Sequence, residues 1–462
     1  MSAGPRRLRR KGPTVLALTG VLMSGLLASC TSGSSPDEPA ASSSPSSVSP
    51  SPTGPVTLRF SVYGDTASEA TYRTLAQAYM RKHPEVTIKV ESTTERAAAM
   101  DRLQVGLDKG TGPDVFLVDH DELPQLVADG RVQPVDELLE QRGVLFGDNY
   151  DRVGLESMAA DSALQCMPND VSPYVVLFNR RLLPPDARSD PGDETPPPPE
   201  DGWTWEQFAA AAQKMSRGGV KGVYLPPTLT TLMPLVRSSG SDLVDDQRKP
   251  TTLTFSDNAN REPLEAILTL ARDPHVSPTP AMLRRQDAVS RFENGRIGMM
   301  VGTRALVPQL RQHPDLQFDV LPLPRLSASR TVADISGYCI NKASEHVDQA
   351  ADFIAFASQD EGAAITAQSG GIVPANLAVL HSDAFTQPGR QPQNEEVFST
   401  VLGKADPMPF TPGWSKVVTQ TQPYLDRLFY APVVDLDTLF PRIDELSAAL
   451  LVEPSPSASP SP

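Results

Sequence analysis

The feature that most constrains the fold is an alternation of strand and helix patterns over residues 56–118. Apolar and polar side chains alternate from Val56 to Tyr63, as in a half-buried strand. A capping box at Thr66 and Glu69 predicts the start of a helix. A strand at 86–90, a helix at 94–108 and an apolar strand at 114–118 follow. This order is typical of βαβ units, so we predict a parallel sheet in an α/β fold.

Polar and aromatic residues follow two of these strands. In open parallel sheets, ligands bind beyond the carboxyl ends of the strands. Tyr63 and Asp65 follow the first strand, and Asp119 and His120 follow the third. We therefore predict Tyr63, Asp65 and Asp119 as ligand-binding residues, and we expect His120 to be a solvated loop residue. Structural roles stay open for all three: Tyr63 could shield the strand edge, and either carboxylate could cap a helix.

A second series of motifs runs from Asp287 to Asn376. A short helical pattern ends at Asn294-Gly295, where glycine can take the left-handed conformation that stops a helix. An apolar strand at 297–301, closed by Gly302, comes next. A strand at 337–341, a helix from Ser344 and the segment 370–376 complete the series.

This series resembles the extracellular solute-binding proteins of ABC importers, in particular the maltose-binding-protein-like sugar-binding family. That family shows the same order: a phenylalanine before asparagine-glycine, a small apolar strand, glycine-tyrosine, a helix, and glycine-x-x-proline-alanine. The resemblance implies a type II periplasmic-binding-protein fold. We therefore expect two α/β lobes, each a mostly parallel sheet flanked by helices, joined by crossing strands at a hinge.

The resemblance also implies how the chain divides between the lobes. The N-terminal lobe should hold residues 56–168 and 337–380, and the C-terminal lobe residues 169–336 and 381–452. The segment with Asn169 and Asp170 should be the first crossing between lobes, which makes both residues ligand-binding candidates. Cys166 and Cys339 should both lie on crossing strands, so a disulfide is conceivable, and two buried free thiols are the alternative.

Two further candidates come from comparison with the family pattern. Trp414 falls where sugar-binding relatives carry a tryptophan that stacks on the ligand, although it could also pack in a core. Arg304 stands where maltose-type relatives have a tryptophan. An arginine there could pair with a carboxylate or phosphate of the ligand, or point to solvent. This substitution argues against an ordinary neutral maltodextrin.

The N-terminus predicts an exported, lipid-anchored protein. Residues 1–29 form a basic and then apolar signal peptide whose apolar run is too short to span a bilayer. Leu27-Ala28-Ser29-Cys30 matches a bacterial lipobox, which predicts lipidation of Cys30 and location on the extracellular face of the cytoplasmic membrane. A plain secretory signal is the alternative. The Ser/Pro-rich segments 30–55 and 453–462 are predicted to be a disordered tether and tail.

Charge and motif content argue against several functions. The chain has a formal net charge of −15, and removing the five basic residues before Cys30 leaves 36 basic against 56 acidic residues, or −20. Without a basic footprint, nucleic acid is not an expected partner. The six histidines are scattered without metal-binding spacing, and neither a nucleophile elbow nor a phosphate loop is present. We therefore expect neither an enzyme nor a metal or cofactor site.

Together these features predict the membrane-anchored binding component of an ABC importer. It would take a carbohydrate-like small molecule into an interlobe cleft, close by hinge motion, and act as a monomer with ABC permease subunits. A ligand-sensing or scaffold lipoprotein of the same fold, without a transport role, is the main alternative. An envelope hydrolase is a third.

Overall fold

The computed structural model describes residues 54–183 and 202–451. The predicted signal peptide, Cys30, nearly all of the tether and the tail lie outside the described residues. Within the two described ranges, no helix combines the length and apolarity needed to cross a bilayer.

The first five elements follow the predicted alternation of strand and helix. They are β1 (Val56–Tyr63), α1 (Thr66–Lys82), β2 (Val86–Thr93), α2 (Arg96–Asp108) and β3 (Val115–Asp119). β1 pairs in parallel with β2, with Val56 opposite Val86, and in parallel with β3, with Phe60 opposite Val115. The helix cap differs from the predicted capping box, because α1 is capped by Asp65 rather than by Thr66.

The next stretch leads from the first sheet into a second one. Its elements are α3 (Leu123–Ala128), β4 (Val132–Gln133), α4 (Asp136–Glu140), α5 (Arg152–Ser157), β5 (Ala159–Ala160), β6 (Ala163–Leu164), β7 (Met167–Pro173), β8 (Val175–Asn179), α6 (Trp205–Met215), β9 (Lys221–Tyr224), α7 (Leu229–Arg237), α8 (Asn258–Arg272), α9 (Pro280–Arg285), α10 (Ala288–Glu293), β10 (Ile297–Gly302), α11 (Val307–Leu310) and β11 (Phe318–Leu321).

The chain then returns to the first sheet and ends in helices. These elements are β12 (Thr331–Asn341), α12 (Val347–Ser358), α13 (Asp360–Ala367), α14 (Leu377–Leu380), α15 (Asp383–Thr386), α16 (Glu396–Leu402), β13 (Ala405–Asp406), α17 (Trp414–Tyr430) and α18 (Leu436–Leu451).

Two mixed sheets result. The seven-stranded sheet has the path β13-β12-β3-β1-β2, with β4 and β7 also paired to β12, and the four-stranded sheet has the order β11-β8-β10-β9. β12 runs antiparallel to β3 and β7, and β8 runs antiparallel to both of its neighbours. The expectation of mostly parallel sheets is therefore wrong, because strands that return from the other half of the chain enter each sheet in the opposite direction.

β12 is the longest strand of the described residues, and it pairs with β3, β4, β7 and β13. Its register against β7 shifts between Ser336 and Gly337. A Cβ atom at Gly337 would lie 2.8 Å from the carbonyl oxygen of Met167, so only glycine allows this close approach.

A disulfide joins Cys166, just before β7, to Cys339 on β12, with Cα atoms 4.5 Å apart. Of the two alternatives that the sequence leaves open, the structure has the bridge. The two strands are thus linked covalently as well as by their backbone hydrogen bonds.

Two clusters of buried apolar side chains form the interior. The first core lies against the seven-stranded sheet and also against one face of the four-stranded sheet. Within it, Phe60 packs edge-on against Tyr72, Tyr338 and Phe353 with ring centroids 5.2–6.0 Å apart. The second core lies against the four-stranded sheet and α17 and includes Trp414. Val332 belongs to the second core and Ala333 to the first, so β12 passes from one core to the other within a single residue step.

Candidate functional site

The floor of the candidate site lies where β1 and β3 end side by side. The hydroxyl of Tyr63 donates a hydrogen bond to Oδ1 of Asp119, and the guanidinium of Arg96 pairs with Oδ2 of the same carboxylate. Asp119 is buried, whereas the Arg96 side chain is 40% exposed. Burial raises the pKa of Asp119, against the opposing effect of Arg96.

Arg96 also reaches the loop that follows β3. Its Nη2 atom lies 3.5 Å from Oε1 of Glu122. The other carboxylate oxygen of Glu122, Oε2, is buried and has no hydrogen-bond partner among the described residues. Loss of hydration, offset in part by Arg96 and reinforced by the negative charge of Asp119, raises the pKa of Glu122 to about 8. Desolvation alone would lower the pKa of Arg96, but Asp119 and Glu122 raise it by more. The guanidinium of Arg96 therefore pairs with both Asp119 and Glu122.

The strands that run between the two cores add two more carboxylates. Oδ1 of Asp170 on β7 accepts hydrogen bonds from Ser172 Oγ at 2.6 Å and from the backbone N–H of Val373 at 2.9 Å. Asp334 on β12, opposite Ser172 on β7, is exposed, and its side chain has no hydrogen-bond or ion-pair partner among the described residues. Surrounding protein, followed by the charge of Asp119, raises the pKa of Asp334 to about 7, although water still reaches the side chain and tempers the effect.

Tyr174 approaches the same group from the second core. It stands between β7 and β8, is half-buried, and packs against the second core. Burial and then the charge of Asp334 raise its pKa, so the phenol stays protonated at neutral pH and can donate a hydrogen bond.

An open cavity of about 300 Å³ lies next to this group. Helices α2 and α3 form one side, and the start of α17 forms the other. Its lining is mainly apolar and also includes Asp121, Glu122 and Lys416. A pocket of about 400 Å³ elsewhere, between Lys82 and Asn376, lies away from these carboxylates. We consider the first cavity part of the site because it adjoins the cluster of polar groups that a solute needs.

Only part of the predicted site comes together. Tyr63, Asp119 and Asp170 belong to one electrostatically linked group. Asp65 instead caps α1, where its Oδ1 accepts from the N–H and the hydroxyl of Ser68, both at 2.8 Å. Its carboxylate is already used by the helix, so it is not a ligand group in this structure.

Asn169 is held by two tyrosines and is not free for a ligand. Its Nδ2 donates to the hydroxyl of Tyr72 at 3.3 Å, and its Oδ1 accepts from the hydroxyl of Tyr338 at 2.8 Å. Asn169 therefore fixes β7 and β12 against α1, beneath the site.

The prediction for Arg304 is corrected by its burial. The side chain has no exposed surface, and its guanidinium pairs with Glu395, donates to the carbonyl of Phe385 at 2.8 Å and lies 4.1 Å over the Phe385 ring. It cannot reach a carboxylate or phosphate of a ligand. The reason for doubting a neutral sugar therefore disappears.

The prediction for Trp414 is corrected in the same way. The indole is fully buried in the second core at the start of α17, and its Nε1–H has no hydrogen-bond partner among the described residues. No face of the ring is open for stacking on a sugar. Trp414 therefore packs in the core, which is the alternative that the sequence left open.

Sequence reasoning missed four side chains of the group: Arg96, Glu122, Asp334 and Tyr174. Glu122 lies three residues after Asp119, so the strand-end rule could have included it. Asp334 is the one exposed position on the otherwise buried strand β12, a signal that requires the full length of the strand. Arg96 and Tyr174 carry no sequence signal, because one begins a helix and the other follows a proline.

The site offers several hydrogen-bonding groups. Carboxylates, a guanidinium and phenol hydroxyls can replace the water that a polar solute loses. Within residues 54–183 and 202–451, no three histidines, cysteines or carboxylates are placed to hold a metal ion. Two cores, strands that pass between them and a polar site beside those strands define the class of two-lobed α/β solute-binding proteins.

The chain belongs to the family of bacterial extracellular solute-binding proteins, whose sequence model matches residues 74–393. A binding protein of Brucella abortus is 19% identical over 368 residues, which cover 78% of this chain and 84% of that protein.

Solved structures share the fold. An ABC substrate-binding protein from Listeria monocytogenes in complex with cycloalternan superposes with a TM-score of 0.75 at 20% identity, covering 85% of this chain and 98% of that one. The GacH receptor of Streptomyces glaucescens, solved unliganded and with acarbose, gives a TM-score of 0.71 at 16% identity over 86% and 98%. The sugar-binding protein MalE from Xanthomonas citri gives 0.72 at 17% over 86% and 97%. These similarities confirm the type II fold that the sequence predicts.

Proposed function

We propose that this chain is the solute-binding component of an ABC importer and that its solute is a carbohydrate. The observation that carries the proposal is the hydrogen-bonded group of Tyr63, Asp119 and Arg96 at the strand ends, beside the unpaired Asp334. Adjacent donors and acceptors of this kind match the vicinal hydroxyls of a sugar. Proteins of the same fold that bind cycloalternan and acarbose support the choice.

The electrostatics of this group of side chains limit which sugars we expect to bind. Asp119, Asp121, Glu122 and Asp334 all act on one guanidinium, that of Arg96, and Asp170 interacts with Asp119 and Asp334. The pKa values of these carboxyls are raised because burial and their mutual repulsion disfavour negative charge here, and a carboxylate or phosphate on the ligand would meet the same penalty. We therefore propose a neutral or basic oligosaccharide, and we expect sugar acids and phosphosugars to bind poorly.

Export and anchoring complete the proposal. Cleavage before Cys30 and lipidation of its thiol would hold the protein on the extracellular face of the membrane, where ABC permease subunits are its partners. The protein would act there as a monomer without enzymatic activity. Closure about the strands between the two cores would trap the solute and present the closed form to the permease.

A thermal-shift screen tests the proposed ligand class. A solute that binds only the folded state raises its stability by about 2.7 kcal/mol at a hundredfold excess over Kd. Neutral and amino oligosaccharides should raise Tm, whereas uronic acids and phosphosugars should leave it unchanged. A shift only with anionic sugars would contradict the charge argument, and a shift only with peptides or amino acids would contradict the carbohydrate assignment.

A further inference from the structure

His120 makes contacts that the proposed site does not use. It directly follows β3, where a solvated loop residue was expected, yet only 4% of its surface is exposed. Its Nδ1 lies 2.8 Å from the carbonyl oxygen of Ser157, at the end of α5. Its Nε2 lies 3.2 Å from the carbonyl oxygen of Met408 and 3.1 Å from that of Pro409.

The two sides of the ring contact different parts of the molecule. Met158, the residue after Ser157, belongs to the first core, whereas Met408 belongs to the second core together with Trp414. The ring of Phe410 packs against the imidazole, with centroids 5.5 Å apart. One buried side chain therefore bridges the loop after β3 and the segment 408–410.

These contacts are sensitive to any separation of the two parts. A backbone carbonyl oxygen only accepts, so the bond to Met408 and Pro409 requires the Nε2–H of the ring. If segment 408–410 moved away, this donor and both carbonyls would have to find new partners. The bond therefore exists only while segment 408–410 lies against the loop after β3 as it does here.

We propose that His120 is a latch between the two lobes, one that stabilises the arrangement seen in this structure through its Nε2–H without contacting the solute. Its role is to position the segment 408–410 against the loop that carries Asp119 and Glu122. The inference rests on the hinge closure of the proposed function, but it does not depend on which solute is bound.

Two amide substitutions test the contacts of the two ring nitrogens separately. The side-chain nitrogen of asparagine occupies the place of Nδ1, and that of glutamine reaches the place of Nε2. His120→Gln should therefore keep the bond to Met408 and Pro409, whereas His120→Asn should lose it and can donate only to the carbonyl of Ser157. A purely structural role for the histidine would make the two variants equivalent.

The test is a distance distribution between spin labels in the absence of any sugar. Labels at Thr74→Cys on α1 and Gln420→Cys on α17, both exposed positions, report the separation of the two lobes in a Cys30→Ser background. We expect His120→Asn to lower the ratio of molecules with the label separation of this structure to all other molecules roughly three- to tenfold, as loss of one hydrogen bond implies. His120→Gln should resemble the wild type. Equal distributions in wild type and His120→Asn, or equal shifts in the two variants, would overturn the proposal.

A second measurement covers the case in which His120→Asn does not fold. In the wild type, the Nε2–H proton of His120, observed by NMR, should exchange with water slowly, because its carbonyl partners and burial protect it. Fast exchange would overturn the latch. Since both measurements are made without sugar, a failed sugar screen leaves the latch testable, and a failed latch leaves the proposed ligand class standing.

Discussion

The hydroxyl of Tyr63 donates a hydrogen bond to the carboxylate of Asp119 and so joins the ends of β1 and β3. Because the acceptor is charged and buried, the bond should contribute about 1.5–3 kcal/mol. We predict that Tyr63→Phe lowers the free energy of unfolding by about 2 kcal/mol, measured by urea denaturation. Asp119 keeps Arg96 as a partner in this variant, so the protein should still fold. An unchanged free energy of unfolding would show that the bond contributes nothing to stability.

The raised pKa of Glu122 predicts that stability depends on pH in a defined direction. In the folded protein its pKa is about 8, against an ordinary value of 4.5, so the folded state binds the proton more tightly than the unfolded state. Its stabilising contribution is complete below pH 4.5 and is lost as the pH rises through 8.

Glu122→Gln should remove this loss. We predict that the difference in free energy of unfolding, variant minus wild type, becomes more positive by on the order of 2 kcal/mol between pH 5 and pH 8.5. Denaturation with urea at a series of pH values measures it. A difference that does not change with pH, or that changes with the opposite sign, would contradict the raised pKa.

The buried ion pair of Arg304 and Glu395 predicts a large loss of stability without a loss of binding. Glu395 also lies 3.2 Å from Arg311, so Glu395→Gln leaves two arginines beside an uncharged amide. Removing one partner of a buried pair typically costs about 3–5 kcal/mol. We expect urea denaturation to show a loss of this size, while affinity for any sugar found in the screen stays within about twofold. Unchanged stability with lost affinity would return Arg304 to the list of ligand contacts.

The disulfide between Cys166 and Cys339 predicts a thiol count and a stability change. In a Cys30→Ser protein unfolded without reductant, a thiol reagent should find no free thiol, and two free thiols would contradict the bridge. The residues are 173 positions apart, so the chain-entropy estimate for closing this loop is about 5 kcal/mol. We expect the double variant Cys166→Ala, Cys339→Ala to lose about 2–5 kcal/mol in free energy of unfolding.

Local patterns in the sequence were enough for the first half of the fold. Alternation in β1, the turn residues around it and the strand-end rule placed Tyr63 and Asp119 at neighbouring strand ends, as the structure has them, because all of these signals are short in range. The direction of β12 was not accessible in this way. Whether a strand that returns after two hundred residues runs parallel or antiparallel depends on pairing partners far away in the chain, here β3 and β7.

The predicted side-chain roles were wrong where another part of the protein itself binds or packs around the residue. The backbone N–H of Ser68, three residues after Asp65, donates to the Asp65 carboxylate, so that carboxylate caps α1. Arg304 found Glu395, 91 positions later in the chain, and Trp414 turned into the second core. No pattern around these residues distinguishes a side chain that faces a ligand from one that faces a core.

Isothermal titration calorimetry tests the central claim, that a carbohydrate binds beside Asp119 between the two cores. Oligosaccharides that raise Tm should bind the wild type at one site, and Asp119→Asn should weaken binding at least about tenfold, since its charge holds Arg96 and Tyr63 in place. Asp65→Asn, a matched change of the neighbouring carboxylate that caps α1, should leave affinity unchanged. Equal affinities of the wild type and Asp119→Asn, or no heat of binding with any carbohydrate, would contradict the account.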